Sequence, residues 1–149
     1  MTAINHECYV SLEVAKLLKK AGFDWDTYNA YNNDGIFADK NRSLITWNHF
    51  SNYYSAPTTE VAQRWLREVK NVSIEVKTCR WVNRHKDGKY TVSYRHELWP
   101  IDTSIVPNNE NKFICYTIDY ACDIEFQTYE EALEAGIKKA LEIILEKGE

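Results

Sequence analysis

Val72-Ser73-Ile74-Glu75-Val76-Lys77 and, beyond Asp87-Gly88, Lys89-Tyr90-Thr91-Val92-Ser93-Tyr94-Arg95-His96-Glu97-Leu98 decide the fold. In the first run Val72, Ile74 and Val76 alternate with Ser73, Glu75 and Lys77, a period of two that puts one face of a strand in a core. In the second, Tyr90, Val92, Tyr94, His96 and Leu98 alternate with Lys89, Thr91, Ser93, Arg95 and Glu97 in the same way. Asp87-Gly88 between them is a hairpin signal, because a type I′ turn needs positive φ at both central residues. The expectation is an antiparallel ribbon. Its register has two solutions. A two-residue loop pairs Lys86 with Lys89 and, counting back, sets Trp81 opposite Tyr94, Arg80 opposite Arg95 and Cys79 opposite His96. That solution puts Cys79 and Trp81 on the face away from Val72, Ile74 and Val76, unless a β-bulge intervenes around residues 78–80. A three-residue loop instead keeps the even-numbered residues of both strands inward and pairs Val82 with an even-numbered neighbour.

Helical periodicity flanks the ribbon on both sides. Ser11 is a good N-cap for a helix running to Ala21, with Gly22 as its stop and Val14, Leu17, Leu18 and Ala21 on one face. Pro57 starts a second helix over Thr58 to about Lys70, with Val61, Ala62, Trp65, Leu66 and Val69 as its apolar stripe. Thr128-Tyr129-Glu130-Glu131 is a capping box, in which the threonine hydroxyl satisfies the amide of Glu131. From there Leu133, Gly136, Ile137, Ala140, Leu141 and Ile144 form an inward face that continues to Leu145. Pro100 and Pro107 bracket a loop, and further strands are expected from Phe113 to Ile118 and near Asp123 to Phe126. Between Trp25 and Tyr54 the signals are sparse. Asn33-Asp34-Gly35 suggests a turn and Leu44-Ile45-Thr46-Trp47 a short strand. The sum is an α+β fold: an antiparallel sheet of three to five strands with about three helices, the C-terminal one packed on one face. No repeat or linker breaks the chain, so a single domain over residues 1–149 is expected.

Composition narrows the class further. The chain has 149 residues, 44% of them hydrophobic and 27% charged, with a net charge of −4. That is a globular balance, and a chain this long buries about two-thirds of its unfolded surface without a metal or disulfide to help. No apolar run approaches the roughly 18–20 residues of a membrane helix. Met1-Thr2-Ala3-Ile4-Asn5-His6-Glu7 carries no basic region followed by an apolar stretch, so no secretory signal is read and a cytoplasmic protein is expected. In that compartment Cys8, Cys79, Cys115 and Cys122 stay reduced. Their spacings, with His6-x-Cys8 and Cys115-x6-Cys122 the tightest, do not match the paired ligands of a structural zinc site. No metal or other cofactor is therefore expected.

Catalytic patterns are equally sparse. The sequence contains no Walker A loop, no G-x-G-x-x-G, no H-E-x-x-H and no G-x-S-x-G. One constellation is chemically meaningful: in the two-residue-loop register Cys79 faces His96, a thiol beside an imidazole, with Arg80, Arg84 and Arg95 able to make the surroundings electropositive. No third orienting group is identifiable, and a non-catalytic role is the reading preferred over an enzyme.

Charge is unevenly placed. Between Lys77 and His96 stand Lys77, Arg80, Arg84, Lys86, Lys89 and Arg95 against Asp87 alone, inside an acidic protein. Arg80 opposite Arg95 would be unfavourable by up to about 1 kcal/mol unless an anion lies between them. Glu75 or Glu97 could supply it, as could a phosphate or an acidic partner. Arg80, Trp81, Arg84, Lys86, Lys89, Tyr94, Arg95 and Trp99 are accordingly the candidate binding residues. Arginine and aromatics favour a protein interface, here or along Trp47 to Tyr54. The alternative is nucleotide or single-stranded nucleic-acid binding, with bases stacked on the aromatics of residues 77–99; the overall negative charge weighs against it.

Several phrases resemble small proteins of bacteriophages and prophages of the gut Bacteroides group: Ser55-Ala56-Pro57-Thr58 followed by Ala62-Gln63-Arg64-Trp65-Leu66-Arg67-Glu68, the opening Glu7-Cys8-Tyr9-Val10-Ser11 through Leu18 with Gly22-Phe23, and the close Tyr129-Glu130-Glu131-Ala132-Leu133-Glu134-Ala135-Gly136. The resemblance carries no catalytic or binding residue. It implies a phage- or prophage-type accessory protein acting in the cytoplasm of a bacterial host cell and binding a host or phage protein, without a membrane.

Overall fold

The computed structural model describes residues 8–37, 43–82, 90–100 and 125–147, with only the backbone described at 80–82, 90, 91 and 100. The expected strand at 113–118 and the hairpin tip at 83–89 lie outside these residues. The fold is α+β, with three α-helices and four strands in two antiparallel ladders among the described residues. The chain divides into two compact units, residues 1–65 with 141–149 and residues 66–140.

In the first unit, helix α1 spans Leu12–Ala21 and ends where local chemistry says it must. Ser11 is extended and its hydroxyl accepts from the Val14 amide at 3.3 Å, while Gly22 closes the helix at φ 92°. Val14, Ala15, Leu18 and Ala21 are buried. Strand β1, Ala30–Asn32, pairs with β2, Tyr53–Ser55. The turn after β1 is held by Asn32, whose side-chain oxygen accepts from the amides of Asp34 and Ile36, with Gly35 at φ 79°. Leu44 to Trp47 does not form the expected strand. Only Ile45 bridges, to Thr27, and the chain then tightens into a 3₁₀ turn over Trp47–His49. The reason is a competing set of side-chain bonds. The Thr46 hydroxyl donates to Asp26 at 2.7 Å, and the Trp47 indole N–H donates to the Thr27 carbonyl at 2.8 Å, drawing Trp47 inward.

Helix α2 spans Thr59–Val69 and is capped by the Thr58 hydroxyl, which accepts from Val61 at 3.3 Å. Its stripe is buried at Ala62, Trp65 and Leu66, but Val69 is exposed. The ring of Trp65 meets Phe23 edge-on at 5.3 Å, within the first unit. Asn71, at φ 58°, turns the chain out of this helix; asparagine tolerates that left-handed conformation better than most residues.

In the second unit β3, Val72–Val82, pairs antiparallel with β4, Tyr90–Pro100, over eleven uninterrupted pairs from Val72↔Pro100 to Val82↔Tyr90. Even-numbered residues pair with even-numbered ones. Helix α3, Tyr129–Lys147, starts from the Thr128 cap, whose hydroxyl accepts from Glu131 at 3.1 Å. Ala132, Leu133, Ile137 and Ala140 on it are buried, and the helix meets the ladder at Gly136. The closest approach is at Gly136, where an added Cβ would stand 2.9 Å from Ile74 Cγ2 and 3.0 Å from His96 Cβ. A mid-helix glycine costs roughly 1 kcal/mol against alanine, and here the missing side chain lets helix and ladder meet. Gly136→Val is expected to destabilise the protein by about 1–3 kcal/mol through overpacking. Urea unfolding checks this; a midpoint equal to wild type would show that the helix does not sit this close.

Candidate functional site

Because β3 and β4 pair without a bulge, residue parity sorts their side chains onto two faces. Ile74, Val76, Thr78, Tyr94, His96 and Leu98 occupy one, and Ser73, Glu75, Lys77, Cys79, Ser93, Arg95, Glu97 and Trp99 the other. The first face meets α3. Ile74, His96 and Leu98 are buried there, and the ring of Tyr94 stands edge-on to Tyr129 at 6.3 Å. The backbone of Tyr94 exchanges both of its hydrogen bonds with Phe126, at 2.8 and 2.7 Å.

The opposite face is a ladder of charges. Lys77 is directly across from Arg95, and Glu75 directly across from Glu97. Like-charge pairs of this kind are unfavourable alone. They are relieved diagonally: Lys77 Nζ lies 2.9 Å from Glu97 Oε2. The carboxylate of Glu97 holds the Lys77 ammonium above its ordinary pKa, reinforced by Glu75 and opposed by Arg95. Glu97 is itself 9% exposed. It is therefore a buried acid whose cation is supplied by the neighbouring strand. Ser93 Oγ, Arg95 Nε and Trp99 Nε1 on the same face are buried without a hydrogen-bond partner among the described residues.

The sequence-derived candidates are distributed by this geometry. Tyr94 belongs to the α3-facing set, while Arg95 and Trp99 belong to the charge-ladder set. Arg80 stands opposite Val92 and Trp81 opposite Thr91, so the ladder positions of Arg80 and Arg95 fall on different faces. Arg84, Lys86 and Lys89 lie outside the described residues. The register with Arg80 across from Arg95 is corrected: the pairing is the even-with-even alternative, because Ile74, Val76, Tyr94 and Leu98 are even-numbered and must share the face that α3 covers. The Cys79–His96 dyad is corrected with it. Cys79 pairs with Ser93 and His96 with Val76, on opposite faces of the ladder. Among the described residues no three His, Cys, Asp or Glu side chains gather as metal ligands.

In the first unit a different surface emerges. Trp47, Phe50 and Tyr53 form a ring cluster, with centroids 5.1 Å apart for Trp47–Tyr53 and 6.2 Å for Trp47–Phe50. Lys19 clamps this segment. Its ammonium donates to the carbonyls of Phe50 and Tyr53 at 2.7 and 2.8 Å and lies 5.1 Å from the Tyr54 ring centroid. Burial of the amine lowers its pKa. Trp47 is buried by this arrangement and Phe50 is left 50% exposed. Tyr28 and Leu44, one residue beyond the Thr27–Ile45 bridge on each side, are 60% and 49% exposed. Ile36 and Phe37, at the end of the turn after β1, are also exposed, with Phe37 edge-on to Tyr31 at 5.3 Å. Composition pointed to residues 47–54 as aromatic, but the exposure at 28, 36, 37 and 44 had no local signal.

Two measurements check these assignments. A double-mutant cycle of Lys77→Met and Glu97→Gln is expected to give a coupling of about 1 kcal/mol, the upper end for a partly exposed pair because Glu97 is withdrawn from water. Zero coupling would fit the offset register, in which the two residues do not meet. Lys19→Met is expected to cost about 1–2 kcal/mol through two lost charge-assisted hydrogen bonds, and to open residues 50–54 to limited proteolysis.

No helix among the described residues is long and apolar enough to cross a membrane. In comparisons with known proteins, no family model, curated sequence or solved structure matches the chain.

Proposed function

We propose that the protein is a non-catalytic protein-binding module, an accessory protein of phage or prophage type whose partner is a host or phage protein in the bacterial cytoplasm. The observation that carries this reading is the exposure of Tyr28, Ile36, Phe37, Leu44 and Phe50. Five of the eight large apolar side chains exposed among the described residues fall between positions 28 and 50. Single exposed apolar residues are ordinary; several on the loops of one unit are what protein interfaces use.

The support is also physical in a second way. These loops are fastened from within, by the Lys19 ammonium, by the Trp47 indole and by Asn48, which donates to the Phe23 carbonyl at 2.9 Å and accepts from the Ser55 amide at 2.7 Å. Apolar side chains on a pre-ordered loop bind with less entropy to lose than those on a loose one. The ribbon of β3 and β4 supports a nucleic-acid platform less well. Stacking needs an open aromatic face, and the Tyr94 ring is engaged by Tyr129, while Lys77 is engaged by Glu97.

Site-specific photo-cross-linking tests the proposal. A benzophenone side chain at Tyr28, Ile36 or Leu44 is expected to give one adduct of defined mass in host cells, and the same group at the exposed Glu13 or Glu60 none. Adducts appearing at all five positions alike, or at none, would remove this surface as an interface. Short single strands provide the contrast: saturable binding at low salt that Arg95→Glu abolishes would favour the ribbon instead.

A further inference from the structure

His96 is a buried titratable side chain of the second unit. It is 5% exposed, and neither ring nitrogen has a hydrogen-bond partner of good geometry among the described residues. Apolar groups crowd it from the ladder and from the helix. Val76 lies across the ladder and Ile74 and Leu98 flank it on the same face. The ring of Phe126 stacks obliquely, 6.0 Å away and inclined by 34°. Above it, Gly136 of α3 leaves room for the imidazole, whose Cβ and Cγ are 3.0 and 3.2 Å from the position of the absent Cβ.

A neutral imidazole survives in such a place as an apolar ring. An imidazolium does not. A buried unpaired charge costs far more than a buried neutral ring, and the group either stays neutral or leaves. Among the described residues of the ladder, protonation also finds no carboxylate on its face to meet it. Glu97 and Glu75 are on the opposite face, and Glu97 already faces Lys77. On β3 and β4 the neighbours of His96 on its own face are not acidic: Ile74, Val76, Thr78, Tyr94 and Leu98. From α3 come Lys139, a second positive charge, and the Ala132 carbonyl, the one group that favours the proton. Burial and Lys139 together outweigh that carbonyl and hold the imidazole below its ordinary pKa.

We infer that His96 is an acid-sensitive latch between α3 and the β3–β4 ladder, and that proton uptake on its ring releases the helix. The direction follows from linkage. The released state takes up protons around pH ~6.5, the ordinary imidazole value, whereas the docked state resists them to lower pH. Docking is therefore at full strength above about pH 6.5, weakens as pH falls below it, and levels off once the docked imidazole is itself protonated. The device is conformational and independent of what the first unit binds.

Hydrogen exchange of the amides at 132–140 tests it, at about pH 7.5 and about pH 5, with rates corrected for intrinsic exchange. Wild type is expected to lose roughly tenfold or more of its protection at the lower pH. His96→Phe, which keeps a ring and removes the proton site, is expected to lose none. Lys139→Met, which removes a cation that opposes the proton on the ring, is expected to lose less protection at the lower pH than wild type and provides the decisive arm should the phenylalanine variant fold poorly. The inference is overturned if wild type is equally protected at both pH values, if His96→Phe loses protection as wild type does, or if Lys139→Met loses as much protection as wild type.

Discussion

Parity of the β3–β4 pairing is the constraint on which the second unit rests. Eleven consecutive pairs run without a bulge, so one pair determines all the others. A slip of one residue would exchange every side chain of one strand between faces. With even paired to even, Ile74, His96 and Leu98 are gathered beneath α3, and Glu75, Lys77, Arg95 and Glu97 are gathered on the reverse. Gly136 then completes the arrangement, since any larger residue there would hold helix and ladder apart. Odd pairing would mix the two sets and bury Arg95 or Lys77 beside Ile74. Burial energy at roughly 1.5–3 kcal/mol for each large apolar side chain decides the matter.

The same comparison explains what was legible beforehand. Helix ends could be read because capping is local: Ser11, Gly22 and Thr128 each act within about one turn of themselves. Strand alternation could be read for the same reason. The register could not be taken from Asp87-Gly88, because a dipeptide that suits a two-residue turn is weak evidence against the placement of a whole apolar face. That face was visible in both strands as a run of even-numbered apolar residues, and it outweighs the turn. Val69 failed for a different cause. It continues the stripe of α2 by spacing, but it is the helix's last residue and stands exposed. Residues 25–54 resisted reading because long-range bonds from side chains hold them. Lys19 reaches Phe50 and Tyr53, Asn48 reaches Phe23, and Thr46 reaches Asp24, each across twenty or more positions. No local pattern encodes such partners.

Local charge was the feature that promised a site, and geometry redistributes it. A surplus of positive residues along the chain makes a positive surface only when those residues share a face and lack internal counter-charges. Here the ladder positions of Arg80 and Arg95 differ in parity, and Lys77 is matched by Glu97. The like-charge juxtaposition expected at Arg80 and Arg95 does exist, three residues away along β3, as Lys77 across from Arg95. It is tolerated because the next row holds Glu75 and Glu97, so that attraction runs along the diagonals of the ladder. A charge run can thus be a structural device of the sheet rather than an advertisement to a ligand, and the apolar loops of the first unit become the better claim to an interface.

His96 and Glu97 show how much hangs on a single step along a strand. They are consecutive, and both are buried, at 5% and 9% exposure. One faces a helix with a glycine above it and a lysine nearby; the other faces a cation 2.9 Å away. A buried acid that is handed a partner can remain charged inside the fold. A buried base that is handed none must remain neutral, and its neutrality is conditional on pH. The asymmetry is imposed by backbone alternation, which sends neighbouring side chains to opposite faces, and by the placement of Glu75 and Lys77 on the face of Glu97. Relocating a carboxylate to the α3-facing set would convert His96 from a liability under acid into half of an ion pair; the absence of one from that set among the described residues is what makes the helix the part of this unit that proton uptake can move.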